Sequence, residues 1–479
     1  MKLLIVITFC LFAALNLYSQ VGIGTITPDP SAILDVKSSS QGLLAPRMTT
    51  VERLNINSPA QGLLVYDLDE DRFYHYNSTN TSWNELITDA IERKNYVLVK
   101  SEADFPAAAG GKITLDSSTL YEINGAITLS NPIDINGSYI EGVDTNEDKL
   151  IASGGTVFSG AKGGSIRNVT LSAPGGTIFN LNATAAGENL VFQSAVVVNS
   201  SSVGTISGFN LVFMNVIQYV YNSAGITYTN IDNLLLNNQG WFSTNGGTYE
   251  TLTGDFDLVS KVSGFSQVVA GGTVGLDVTG VSTITGDADL QNVVFYGGGK
   301  YVNGVSPYNG FNFTRDWSVD CPGIPVELDD NAAANFYFNG ALTTGFAQSV
   351  SNNSAVKITG TSNSNNTTAN SLFRFNAPVN NRLVYDGTKT RDFQVNASLS
   401  IRVENAAGNF FAFIIAKNGS IITESNAVVR IDSDVVIQNV ALNSIVTLET
   451  GDYVELYVQR LTGSGTDNLV VFSENLSIK

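Results

Sequence analysis

A short phrase recurs through the middle of this chain: Asn168-Val-Thr-Leu171, Asn189-Leu-Val-Phe192, Asn210-Leu-Val-Phe213 and Asn233-Leu-Leu-Leu236, its asparagines 21, 21 and 23 residues apart. Asn292-Val-Val-Phe295 is a fifth, displaced copy. Repetition at that period marks a solenoid, because one short unit cannot bury its own apolar face and must stack on its neighbours. Polar and apolar positions alternate within each copy, which predicts Leu190 and Phe192 on one face of a strand and Asn189 and Val191 on the other. Stacked copies would pair as a parallel sheet, each coil covering the next. The Leu-x-x-Leu-x-Leu frame of leucine-rich repeats is absent, and no helix pattern separates the strands. One asparagine per coil has two readings: a stacked ladder of side-chain amides, or a residue suited to the bend before a strand.

With 479 residues, 43% of them hydrophobic, the chain can fill two or three domain cores. Only 14% are charged, and 45 glycines supply tight turns, a mix that favours strands over helices. A net charge of −18 opposes nucleic-acid phosphate and is compatible with carbohydrate or calcium-mediated contacts. DNA and RNA are therefore not expected partners. Met1-Lys2 followed by the apolar run Leu3–Leu15 reads as a secretory signal peptide spanning 1–19, cut between Ser19 and Gln20, with a retained anchor as the alternative. Phe9 argues against a lipoprotein site at Cys10. Without the leader Cys321 is the only cysteine, so no internal disulfide is expected. No later segment reads as a membrane span, which predicts a secreted, extracellular, cell-surface or virion protein with no membrane insertion after cleavage.

Residues 20–95 form a first module. Its phrases are Val21-Gly-Ile-Gly-Thr-Ile-Thr-Pro28, Ser31-Ala-Ile-Leu-Asp-Val-Lys-Ser38, Gly42-Leu-Leu-Ala-Pro-Arg-Met-Thr49 and Gly62-Leu-Leu-Val-Tyr-Asp67, then Arg72-Phe-Tyr-His-Tyr-Asn77. Leu63–Tyr66 and Phe73–Tyr76 read as a hairpin around the acidic turn Asp67–Asp71, with Trp83 closing its apolar face. Over residues 20–87 these phrases resemble the N-terminal module of exported surface proteins and tail-fibre-like proteins of Bacteroidetes and their phages. The resemblance implies display or a fibre, and no chemistry. Residues 84–94 carry the one plausible helix, a connector with Leu86, Ile87 and Ile91 as a weak apolar stripe.

From Tyr96 the text becomes Val97-Leu-Val-Lys-Ser-Glu-Ala-Asp-Phe-Pro106, Gly110–Leu115, Tyr121–Leu129 and Ile133-Asp-Ile-Asn-Gly137. This pattern resembles the opening coils of a right-handed parallel β-helix of the pectate-lyase and tailspike type, and the solenoid is expected over 96–312. Prolines cluster in Arg315–Pro325, which predicts a junction over 313–339. Beyond it, strands are expected at Phe373–Phe375, Phe393–Val403, Phe410–Lys417, Ala427–Ile431, Ile445–Leu448, Tyr453–Gln459 and Leu469–Phe472, with a turn at Lys417-Asn-Gly419. Such a series predicts an antiparallel sandwich or jelly roll. The phrases Phe411–Gly419 and Leu448–Tyr457 resemble the trimeric jelly-roll heads of the tumour necrosis factor and complement superfamily over residues 340–479. That resemblance implies a homotrimer, with Tyr453, Leu456 and Tyr457 either at a threefold axis or in the core.

Candidate chemistry is sparse. The single histidine, His75, lies in a strand pattern without partners, which excludes a histidine triad or a multi-histidine metal site within one chain. Asp67, Asp69 and Asp71 begin like a calcium loop, but Arg72 and Ser78 stand where the loop needs Gly and Glu. The Gly-Gly runs at 154, 163, 175 and 298 read as coil corners, lacking the Lys-Ser of a phosphate loop. Carboxylates that could serve a glycosidase or lyase are Asp232, Asp255, Asp257, Asp287 and Asp289 on the solenoid and Asp316, Asp320 and Glu327 at the junction. Solvated surface acids are the simpler reading. Basic groups able to neutralise a uronate are scarce, with Arg167 and Lys261 read as isolated. No catalytic, cofactor-binding or metal-ligating residue is assigned and no cofactor is expected. Two functions stay open. The favoured one is a non-catalytic fibre or adhesin whose head binds a surface glycan or cell-envelope ligand; the other is a tailspike-like polysaccharide depolymerase working on the solenoid face.

Overall fold

Residues 20–86, 94–360 and 366–479 are described by the structure, a computed structural model. The expected leader over 1–19, Cys10 included, and the apolar stripe residues Ile87 and Ile91 lie outside them. Among the described residues the protein is all-β apart from short helical turns, and the chain divides into two units, residues 1–93 and 94–479.

In the second unit a parallel sheet of 21 strands winds from Tyr96–Val99 to Trp317–Asp320 as a β-solenoid of about 9 turns. Each coil has three sides. Asn189–Val198 supplies two of them by bending at Ser194, and Ser202–Ser207 supplies the third. The bend is stacked: Asn168, Ser194, Val216, Asn238, Ser263 and Asn292 occupy equivalent places in successive coils, and all have positive φ. One residue per coil in the left-handed region turns the chain without breaking the ladder on either side.

This column corrects the reading of the repeat. Asn168 and Asn292 belong to the bend, whereas Asn189 and Asn233 start a side, so the five phrases are not five equivalent copies. The Asn210 copy is also one residue out of step, because Asn189 pairs with Leu211 and Leu211 with Asn233. A one-residue slip exchanges the faces of a strand. Leu190 and Phe192 point inward as expected, and so do Leu234 and Leu236, but between them Val212 and Met214 are buried in place of Leu211 and Phe213. Asn210 Nδ2 does donate to Asn189 Oδ1 (3.0 Å), on the surface. The buried ladder is elsewhere: Asn222 donates to Asn245 Oδ1 (2.9 Å) and accepts from Ser200 Oγ (2.8 Å) at a neighbouring corner.

The interior is a continuous apolar column in which Tyr219, Trp241 and Tyr249 stack face to face. The last coil ends within the proline cluster, its final strand lying just before Pro322. Trp317–Asp320 pairs with Ala288–Gln291, and the head begins its own pairing at Ala333–Asn339, so both elements enter the stretch expected as a junction.

The head is an antiparallel sandwich of a 6-stranded and a 7-stranded sheet enclosing a second core. Most strands lie where alternation places them, although Gln438–Leu448 begins earlier than expected. Asn418-Gly419 closes a two-residue hairpin between Lys417 and Ser420, both central residues having positive φ, as a primed turn requires. Leu456 lies in the core, while Tyr453 and Tyr457 lie half-buried on the opposite face of the same strand.

The first unit holds a small meander in which Leu64–Asp67, Arg72–Asn77 and Ser82–Glu85 pair antiparallel, and Trp83 packs edge-on against Tyr76. Asn84 and Glu85 are therefore strand, not the start of a helix. Among the described residues a short helix, Thr50–Leu54, is fixed by a capping box between Thr49 and Glu52.

Candidate functional site

The acids singled out from sequence do not form one group. Asp232, Asp255 and Asp257 are exposed on the solenoid, Asp257 accepting from Thr285 Oγ1 (2.5 Å). Asp320 is exposed on the last strand. Asp287, Asp289 and Asp316, by contrast, line one cleft of about 330 Å³ where the last coil meets the head. Arg315, Trp317, Thr388 and Lys389 complete it. The cleft thus offers carboxylates, a guanidinium, an amine and a hydroxyl, groups able to exchange hydrogen bonds with a sugar's hydroxyls. A second hollow of about 320 Å³ follows the stacked bend, bordered by Asp144, Asn168, Ser194, Val216 and Gln218.

A buried clamp adjoins the cleft through Asp329. Arg374 is 1% exposed, sits between Phe373 and Phe375 with positive φ, and interrupts the expected strand there. Its guanidinium donates to the Trp317 carbonyl (2.7 Å) on the solenoid and to the Glu327 carbonyl (3.2 Å) on the joining segment. It also pairs with Asp329 (3.2 Å). Asp329 in turn accepts from the Thr388 and Lys389 N–H groups in the head loop that walls the cleft (2.5 and 2.9 Å). Around this clamp Phe311 stacks on Phe373 (4.0 Å), Tyr308 donates to Asp386 (2.7 Å), and Arg315 pairs with Asp386 (3.1 Å). Burial and the neighbouring Asp386 push the Tyr308 phenol far above its ordinary range.

Glu327, one of the expected candidates, belongs to the clamp rather than the cleft surface. It is fully buried, and its carboxylate accepts the Asn312 and Phe313 N–H groups (2.7 and 3.0 Å). Burial pushes its pKa up, against the pull of those donors.

Lys261 is not isolated. It is 2% exposed and pairs with Glu250 inside the solenoid, a partner the sequence reading missed. Asp67, the first residue of the failed calcium loop, is buried against Arg53 (2.7 Å) and accepts from Thr50, while Asp69 accepts the Thr50 N–H (2.9 Å). His75 pairs in the meander between Leu64 and Asn84. Among the described residues no cluster of three or more His, Cys, Asp or Glu side chains could hold a metal ion, and no helix is long and apolar enough to cross a membrane. A Cβ at Gly163 would strike the backbone of the next coil at Asn189, and one at Gly176 the backbone of the preceding coil at Gly155.

No curated protein matches the chain. Among solved structures it is similar to the Eiger TNF of S. frugiperda, at 14% identity over 31% of this chain and 91% of that one, with a TM-score of 0.20. It is also similar to the enzymatically active domain of bacteriophage CBA120 tailspike protein 4, at 9% identity over 91% of this chain and 77% of that one, with a TM-score of 0.18. Scores this low give no argument about fold or function. Residues 22–101, which take in the first unit and the opening strand of the solenoid, match the family described as the phage tail-like trimerisation region.

Proposed function

We propose that this protein is a homotrimeric fibre or adhesin of the phage-tail type, exported or virion-borne, whose head end binds a surface glycan. In this reading residues 1–19 are an export leader, 20–95 an attachment and trimerisation module, 96–312 the shaft, 313–339 the joint and 340–479 the head. The match of residues 22–101 to a trimerisation region carries the reading. The buried clamp at Arg374 supports it, because a fibre must hold its head firmly on its shaft. Glycan binding is supported by the polar cleft, whose mixed donors and acceptors suit hydroxyl-rich ligands better than apolar ones. Probing a glycan array with the full chain tests this: binding lost in Lys389→Ala supports a ligand at the cleft, and an array without signal contradicts it.

The depolymerase reading is favoured by one observation, the convergence of Asp287, Asp289 and Asp316 on that same cleft. Two convergent carboxylates are what glycoside hydrolysis needs. Release of reducing ends from capsule or exopolysaccharide, abolished by Asp316→Asn, would replace the non-catalytic reading. Release that persists in Asp316→Asn would place catalysis elsewhere.

A further inference from the structure

We infer that the glycan site has a second subsite along Val278–Ile284, adjoining the cleft at the head, and that this subsite takes an uncharged sugar unit. The ligand is then a linear oligosaccharide, not a single sugar. The inference rests on the glycan reading above and names the ligand class.

The second subsite exists because the stack of coils is interrupted. Val274–Ile284 pairs with the preceding coil along its length. On its other edge the pairing stops early, with Val274, Leu276 and Asp277 facing Lys300, Val302 and Asn303. After Asn303 the chain leaves the stack, and pairing resumes at Trp317–Asp320. The residues between are used at the joint, where Tyr308 and Phe311 reach the head and Glu327 holds the Asn312 and Phe313 N–H groups. Among the described residues no coil therefore covers Val278–Ile284, and a hollow of about 280 Å³ stands in its place.

This hollow and the cleft of about 330 Å³ are neighbours that share Asp316 and Trp317. One stretch of chain lines both, residues 278–284 facing the hollow and 286–289 the cleft. Each alone is near the lower limit of roughly 300 Å³ for a small-molecule site, and side by side they suit a chain of sugars. Trp317, common to both, is fixed through its carbonyl by Arg374 (2.7 Å).

The lining sorts the ligand. Ser282, Thr283 and Thr314 bring hydroxyls to the hollow, and Val281, Ile284 and Phe313 bring apolar surface, matching the hydroxyl edge and the C–H face of a sugar ring. Asp316 is the one ionisable residue of its lining, so a uronate seated there meets a like charge and no cation. Arg315 and Lys389 lie in the cleft instead. A peptide strand is the other occupant that an open sheet edge admits. Register shifts between Thr251 and Thr253 and between Gly254 and Asp255 break the even spacing along this strand, which a peptide ladder needs and a sugar does not.

The test is the affinity of the full chain for neutral oligosaccharides of glucose, mannose, galactose and N-acetylglucosamine, and for oligogalacturonates, from disaccharide to hexasaccharide. The recognised neutral hexasaccharide is expected to bind about tenfold more tightly than its disaccharide and than the hexagalacturonate. Ser282→Trp, which fills the hollow, should abolish the advantage of length, and so should Val305→Trp on the opposite wall, at a position 56% exposed. A parent that does not distinguish lengths, or an advantage that survives in either variant with the solenoid's unfolding transition intact, overturns the second subsite and leaves the glycan reading standing. Equal binding of the hexagalacturonate overturns the uncharged unit. A displayed extended peptide that binds the parent and is lost in Ser282→Trp, with sugar binding the same in both, assigns the hollow to a strand and overturns the inference. A parent that binds no sugar of the series overturns the glycan reading together with it.

Discussion

Lys261 Nζ lies 2.8 Å from Glu250 Oε2, with both side chains sealed inside the solenoid. Lys261 occupies an inward position between Leu236 and Leu290 of the adjacent coils, in a column whose other members, from Ile166 and Phe192 to Val319, are apolar. Two charges withdrawn from water recover most of their lost hydration from each other, so removing one is far costlier than removing both. Lys261→Met is expected to destabilise the solenoid by about 3–5 kcal/mol, and Lys261→Met with Glu250→Leu to come close to the parent or exceed it. Chemical denaturation of the two single variants and the double variant measures the coupling. A double variant as weak as the worse single one would show that the pair is not a closed unit.

Arg374, itself in the head, holds the last solenoid strand and the joining segment at once, so its loss should change how the protein unfolds as well as when. Arg374→Ala leaves Asp329 buried without its cation and should cost about 3–5 kcal/mol. Lysine lacks the planar fork that reaches the Trp317 and Glu327 carbonyls and should not rescue it. Calorimetry is expected to show the head melting separately from the solenoid in the alanine variant.

Two buried acids should respond to pH in opposite directions. Burial raises Glu327 above its ordinary 4.5, outweighing the Asn312 and Phe313 N–H groups. Its protonated form is therefore favoured by the fold, and its contribution is complete below 4.5 and lost as pH rises through the folded value. Burial also opposes ionisation of Asp148, but the Asp144, Gly125 and Val143 N–H groups overcome it and hold the group below 3.8. That contribution is present above 3.8 and lost as pH falls through the folded value. Denaturation curves from acid to neutral pH should show the parent's advantage over Glu327→Gln shrinking with rising pH, and its advantage over Asp148→Asn growing.

Val216 is a β-branched residue in a column of left-handed bends where Asn168, Asn238 and Asn292 fill equivalent places. A left-handed conformation costs an ordinary L-residue about 1–2 kcal/mol, and asparagine tolerates it better. Val216→Asn is expected to stabilise the solenoid by about 1 kcal/mol in chemical denaturation. No gain would mean that the bordering hollow depends on the valine for packing.

The coil period was legible because the apolar alternation repeats at nearly constant length, and the head strands were legible for the same reason. Register was not. A period of two reads equally well one residue out of step, so the Asn210 phrase does not reveal that Val212 and Met214, not Leu211 and Phe213, face inward. The Lys261–Glu250 pair and the Arg374 clamp join residues far apart in sequence, and nothing local distinguishes them from surface charges. The Ser200, Asn222 and Asn245 ladder has the coil spacing, but those residues lack the flanking apolar phrase that drew attention to Asn189 and Asn210. The Thr49 and Glu52 capping box carries a Thr-x-x-Glu signature that is legible in the sequence. The convergence of Asp287, Asp289 and Asp316 needed the solenoid's final turn and the head loop in place together.

If three copies of this chain assemble through the N-terminal unit into one fibre, the solution mass is that of three chains. Light scattering on the purified full chain at several concentrations measures this directly. The mass is expected to stay at three chains on dilution through the micromolar range, and a mass of one chain throughout would rule trimeric assembly out.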